Sequence, residues 1–68
     1  MPRDGKTRHR VRRKLEACAT LCQNINAHLA VAAEPYEKDR PQYFQAMLQI
    51  GVIIAHCEEE LRSIRRKI

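Results

Sequence analysis

The amino-acid sequence predicts an all-α protein, an antiparallel two-helix hairpin with a heptad seam that dimerises into a four-helix bundle. Gly and Pro are scarce, at two and three of 68 residues, and aromatic residues make up only 4%. Such a composition favours helices over a sheet. Prolines divide the chain into two long segments, and apolar residues recur in each at alternating steps of three and four. A chain of this length forms one domain, residues 1–68.

The first helix is predicted over residues 7–33, where neither Gly nor Pro interrupts the chain. Pro35 should end it, because a proline disfavours helical backbone at the residue before it. The apolar seam of this helix consists of Val11, Leu15, Cys18, Cys22, Ile25, Leu29 and Ala32. Its alternating spacing, sustained over three heptads, is typical of helices that pack along a coiled-coil seam.

Residues 34–41 are predicted to form the loop, and residues 42–67 the second helix, with Asp39 and Gln42 as a capping box. The second seam consists of Tyr43, Met47, Ile50, Ile54, Cys57, Leu61, Ile64 and Ile68. A short connection between long helices indicates an antiparallel hairpin. Facing residues then have numbers that sum to 75 or 76, which places Cys18 opposite Cys57.

A second stripe predicts a homodimer. Residues 17–33 and 42–57 carry no formal charge, whereas a solvated helix face is normally charged. The predicted dimer interface consists of Leu21, Asn24, His28, Val31, Phe44, Leu48, Gly51 and Ala55. Small residues at positions 51 and 55 would let helices approach closely. The alternative is that this face captures a helix of another protein.

Charge is concentrated where the two ends of the hairpin chain meet. The net charge is +5 and the isoelectric point about 9.6. Eleven of the 13 basic residues fall at the terminal end, which has a net charge of +6 against −1 at the loop end. Basic clusters of this kind attract the phosphates of nucleic acids. The predicted nucleic-acid-binding residues are Arg8, Arg10, Arg12, Arg13, Lys14, Arg62, Arg65, Arg66 and Lys67, with His9 beside them.

These features predict a small non-enzymatic regulatory protein whose basic end binds the phosphate backbone of DNA or RNA. No aromatic residue is interleaved with the basic ones, so base stacking is not expected. The alternative is a protein–protein adaptor or inhibitor, and an acidic protein is an alternative partner for the basic end. An enzyme is not predicted, because the uncharged middle offers His28 no carboxylate or nucleophile. No cofactor is expected.

The three cysteines admit a chemical interpretation and a structural one. Cys18, Cys22 and Cys57 could converge as thiolate ligands for Cu(I) or Zn(II), and Cys18 and Cys57 could form a redox bond. The favoured interpretation is that they fill the seam as small apolar residues, with no metal bound. An odd cysteine count without an apolar leader indicates the cytoplasm. No apolar run approaches the ~20 residues of a membrane span.

Overall fold

The computed structural model describes the backbone of residues 3–68 and the side chains of residues 6–68, so residues 1 and 2 of the predicted domain lie outside it. The helices are α1 (Arg3–Ala33), α2 (Tyr36–Asp39) and α3 (Pro41–Lys67). The two long helices pack against each other in a hairpin, which confirms the all-α prediction. The hairpin is a rod of 58 × 15 × 11 Å with a radius of gyration of 16.3 Å. A compact chain of this length would have a radius of gyration of about 11 Å.

The helix ends follow from the local sequence. The first helix begins at Arg3 and therefore includes Gly5. A glycine inside a helix costs only about 1 kcal/mol relative to alanine. The predicted loop contains the single helical turn α2, which follows Pro35 with φ −65° and ψ −18°. The connection is therefore mostly ordered helix.

Pro41 is the first residue of α3 and forces the break before it. Arg40 has φ −139° and ψ 72°, outside the helical region, as expected for a residue that precedes proline. The predicted capping box of Asp39 and Gln42 is wrong, because Arg40 is the N-cap and no side chain caps this end. Instead the carbonyl of Arg40 accepts bonds from the backbone N–H groups of Tyr43 (3.0 Å) and Phe44 (3.1 Å).

The seam between α1 and α3 is rotated from its predicted position. The less exposed positions of α1 are Leu15, Ala19, Cys22, Asn26, Leu29 and Ala33, and those of α3 include Phe44, Met47, Gly51, Ile54, Glu58 and Leu61. Six of the fifteen predicted seam residues are therefore correct, and most of the others are replaced in the seam by the residue that follows them. The predicted pairing of Cys18 with Cys57 inside the seam is wrong, since both side chains are exposed.

Small residues explain this rotation. Ala19 and Ala33 are 0% and 2% exposed, and they are the buried residues of the described chain. A Cβ added to Gly51 would lie 3.3 Å from Oδ1 of Asn26, so α3 approaches α1 closely at this glycine. Bulky side chains at these positions would separate the helices. At the positions that differ from the prediction, the chain thus packs Ala19 and Gly51 inside the hairpin and turns Ile25 and Ile50 outward.

The displaced seam residues now form one exposed side of the hairpin. Each lies one residue before a seam position, which is about 100° of rotation, and in an antiparallel pair these positions share one side. We call this side the apolar flank; it consists of Val11, Cys18, Leu21, Ile25, Tyr43, Ile50, Ile53, Cys57 and Ile64. Its seven larger side chains are 36–60% exposed. A single hairpin thus leaves most of its bulky apolar residues in water.

The predicted dimer stripe does not form a single surface. Gly51 and Phe44 face the inside of the hairpin, and Asn24, His28 and Val31 lie exposed on the outer side of α1. Leu48 and Ala55 line a groove with Ala30 on the side opposite the apolar flank. Leu21 lies on the apolar flank. The hairpin therefore does not gather these eight residues on one surface, because they point in four directions.

Two buried side-chain atoms lack a hydrogen-bond partner among the described residues, Oδ1 of Asn26 and Nε of Arg65. Oδ1 of Asn26 is buried and accepts no hydrogen bond from the described residues. Replacing Asn26 with Ala should stabilise the hairpin by about 1 kcal/mol, because it removes an unpaired buried oxygen and improves helix propensity. Chemical denaturation followed by circular dichroism measures this change. Asn24→Ala is the matched control on the exposed side and should gain only the smaller propensity term. A destabilised Asn26→Ala chain would contradict this assignment.

Candidate nucleic-acid interface

A basic groove runs along the outer side of α1, away from α3. It is lined by Lys6, His9, Arg10, Arg13, Lys14 and Ala17. Positions 6, 10, 13 and 17 recur at steps of four and three, which places them along one helix face. All six residues are exposed, and no acidic residue among the described side chains 6–68 lines the groove. The groove therefore presents several cations along one line, as the evenly spaced phosphates of a nucleic-acid strand require.

The groove also extends past the end of α3. The close approach of Asn26 to Gly51 sets a register in which facing residue numbers sum to about 77. In this register Ile68 lies level with His9, so residues 3–8 of α1 project beyond the partner helix. The projection is about 9 Å at ~1.5 Å per residue. A ligand can reach this segment from several directions without contacting α3.

Two of the predicted contact residues have a different role. Nε of Arg62 donates to Oε2 of Glu58 at 3.1 Å, and Nη2 of Arg65 lies 2.9 Å from Oε2 of Glu16. Glu58 and Arg62 are four residues apart on α3, the spacing at which opposite charges on one helix meet. Each of these two arginines neutralises a carboxylate, and the pair of Arg65 with Glu16 also links α3 to α1. The two arginines therefore contribute little free positive charge.

A third polar contact also links the two long helices. Nε2 of Gln23 donates to Oε2 of Glu58 at 2.9 Å, so Glu58 links α1 to α3 while also holding Arg62. Glu16 and Gln23 each lie one residue after a seam position, on the side opposite the apolar flank. The side opposite the apolar flank is thus polar from Glu16 to Gln23, where its side chains bond to one another, and apolar nearer the loop.

The remaining predicted contact residues stay available at the surface. The ion pairs in the described part of the chain join Arg62 with Glu58, Arg65 with Glu16, and His56 with Glu60. None of them involves Arg10, Arg13 or Lys14. The predicted residues Arg8, Arg12, Arg66 and Lys67 are exposed outside the groove. Lys6, which the sequence places at the basic end without marking it as a contact, joins the groove through its spacing of four from Arg10.

The two helices hold their positive charge in different ways. Arg65, Arg66 and Lys67 occupy the last turn of α3, where the helix dipole stabilises cations. Arg10 and Arg13 lie seven and ten residues inside α1, beyond the first turn in which a helix dipole acts on a charge. Their positive charge is therefore not stabilised by a helix terminus, and among the described residues it is not neutralised by an ion pair.

The cysteines do not assemble into a metal site. Cys22 lies half-buried in the seam, whereas Cys18 and Cys57 are exposed on the apolar flank. Within residues 6–68, no three His, Cys, Asp or Glu side chains come together as metal ligands. The alternative of a thiolate site at Cys18, Cys22 and Cys57 is therefore contradicted, because the rotated seam separates Cys22 from the other two thiols.

Comparisons with known proteins add no family to this description. No protein-family model matches the chain, and no similar curated protein or solved structure was found. Across the described residues, no helix combines the length and apolarity that crossing a membrane requires. The function is therefore inferred from the side chains of this protein alone.

Proposed function

We propose that this chain is a small non-enzymatic regulatory protein that works as a homodimer of hairpins, a four-helix bundle, and binds the phosphate backbone of DNA or RNA. The basic groove on the outer side of α1 carries the proposal. Its cations Arg10, Arg13 and Lys14 are exposed and point away from the seam, and within residues 6–68 no carboxylate forms an ion pair with them. The odd and low cysteine count supports a cytoplasmic setting.

Phosphate contacts give a binding reaction that depends steeply on salt. Each neutralised phosphate releases condensed counterions, so four contacts should weaken affinity about 10²-fold between roughly 50 and 200 mM salt. Fluorescence anisotropy with a labelled DNA duplex, an RNA duplex and a single strand measures this slope. The two duplexes should bind at low salt without strong sequence preference, because the groove offers no aromatic residue to stack on bases.

Two results would contradict the proposal that the groove binds phosphate backbones. If none of the three nucleic acids changes anisotropy at about 50 mM salt, the groove does not bind phosphate backbones. Affinity that is unchanged by salt would also count against the proposal, because it would indicate contacts other than charge. A protein carrying an acidic segment, titrated under the same conditions, tests the alternative partner for the basic end.

A second candidate function rests on the apolar flank. Leu21 and Ile53 are 59% and 60% exposed there, and the helices around them are uncharged over four turns or more. A surface of this kind accepts an amphipathic helix, as an adaptor or inhibitor would. The mass of the purified chain separates the two candidates, since an adaptor with an empty flank would be a monomer.

A further inference from the structure

We infer that the apolar flank is the surface through which two copies of this chain associate, with the two hairpins packed antiparallel so that each basic end lies beside the loop end of its partner. The inference rests on the homodimer proposed above and names its interface and its orientation. It replaces the stripe predicted from the sequence, whose residues the fold disperses.

The solvent-accessible area of one hairpin is large enough to form an interface with a second copy. The chain has a solvent-accessible surface of 5728 Å². A compact folded chain of 7.9 kDa would expose about 4,400 Å². The excess of about 1,300 Å² is larger than the roughly 800 Å² that each partner buries in a standard interface. A monomer therefore exposes the area that a stable dimer needs to bury.

The flank also has the pattern of a second seam. On α3, Tyr43, Ile50, Cys57 and Ile64 recur every seven residues, with Ile53 between them. On α1, Cys18, Leu21 and Ile25 repeat the same spacing. Two such stripes on neighbouring faces of one helix are what a four-helix bundle requires, one within each hairpin and one between the hairpins. A second copy supplies an identical apolar stripe of equal length.

Charge decides the orientation of the two hairpins. The terminal end carries a net +6 and the loop end −1. A parallel dimer would bring two ends of +6 together, whereas an antiparallel dimer places each of them beside a loop end of −1. The midpoint of the flank then lies near Leu21 and Ile53, so residues on either side of it meet across the dimer axis.

Two adjacent residues allow a matched test of whether the apolar flank is the dimer interface. Ile53 and Val52 are 60% and 70% exposed, and they lie on opposite sides of the hairpin. Light scattering on the purified chain without nucleic acid should give twice the 7.9 kDa of one chain. Ile53→Glu should halve this mass or, if the free hairpin is unstable, lose its helical circular dichroism. Val52→Glu should remain a dimer with the same helix content.

Three outcomes overturn the inference. A wild-type mass of one chain rejects the dimer, whether or not the basic groove binds nucleic acid. An Ile53→Glu chain that remains dimeric rejects the apolar flank as the interface. A Val52→Glu chain that becomes monomeric while Ile53→Glu stays dimeric places the interface on the opposite side. Because no nucleic acid is present, failure here is distinct from failure of the binding proposal.

Cross-linking of native lysines tests the orientation. Within one hairpin, Lys38 is about 40 Å from both Lys6 and Lys67, since a helix rises ~1.5 Å per residue. A short amine cross-linker cannot span this distance, so Lys38–Lys6 or Lys38–Lys67 links in the dimer band must join two copies. The antiparallel dimer should give these links. A dimer band that contains Lys38–Lys38 links, or lacks the expected ones, overturns the antiparallel arrangement.

Discussion

Reversing the charge of Arg10 and Arg13 together should weaken binding to a DNA or RNA duplex by about 10²-fold, because each charge-assisted bond to phosphate contributes roughly 1.5 kcal/mol or more. The salt slope should fall as well, by about one unit for each phosphate contact that is lost. Arg10→Glu/Arg13→Glu places two carboxylates in the middle of the basic groove. Anisotropy titrations at several salt concentrations measure both quantities.

The same substitution should not weaken the fold. Both side chains are exposed, and among the described residues neither forms an ion pair, so their replacement removes no contact that holds the hairpin together. We therefore expect the variant to be about as stable as the wild-type chain while it loses affinity. A loss of affinity without a loss of stability distinguishes a functional cation from a structural one.

The matched control is the loop end. Lys38→Glu/Arg40→Glu makes the same change in net charge at the other end of the rod, so it should alter affinity only a few-fold through the long-range field. Equal losses in the two double variants would show that net charge alone drives binding. An unchanged affinity in Arg10→Glu/Arg13→Glu would remove the groove from the binding surface.

The hairpin could be predicted from the sequence because the residues that define it act on their immediate neighbours in the chain. Pro35 and Pro41 mark the break between the long helices, and proline restricts its neighbours whatever the rest of the chain does. The ion pair of Glu58 with Arg62 is likewise set by a spacing within one helix. Glu16 with Arg65 could not be predicted this way, because their contact depends on the register between the two helices.

The rotation of the seam could not be predicted for a different reason. Two stripes with the same spacing overlap on each helix, and they share residues such as Leu15 and Cys22. Apolar content favours the stripe with Cys18 and Ile25, whereas the hairpin uses the one with Ala19 and Asn26. The choice depends on how closely the backbones approach, and hydrophobic periodicity carries no information on that distance.

The candidate site could likewise be predicted only in part, because the number of cations is local information and their orientation is not. A cluster of cations at the terminal end follows from counting residues once the hairpin is known. Which of them face outward depends on the rotation of α1, which directs Arg10 and Arg13 away from α3 and leaves Arg65 close enough to pair with Glu16. The predicted set therefore contained both free cations and structural ones.

Ala19→Asp should unfold the hairpin, or leave it largely unfolded, at 25 °C. Ala19 is fully buried in the seam, close to the level of Glu58, so a new carboxylate there would be desolvated and would face a second negative charge. Burying an unpaired charge costs about 3–5 kcal/mol. A folded chain of 68 residues has roughly 3–10 kcal/mol of total stability at ~0.05–0.15 kcal/mol per residue.

Far-UV circular dichroism and chemical denaturation measure this loss, and Ala27→Asp is the matched control. Ala27 lies two turns further along α1 and is exposed, so its replacement costs only the difference in helix propensity, about 0.7 kcal/mol. Equal stability of the two variants would mean that residue 19 does not lie between the helices. The seam with Cys18 and Ile25 would then be the true one, and the apolar flank would no longer be available to a second copy.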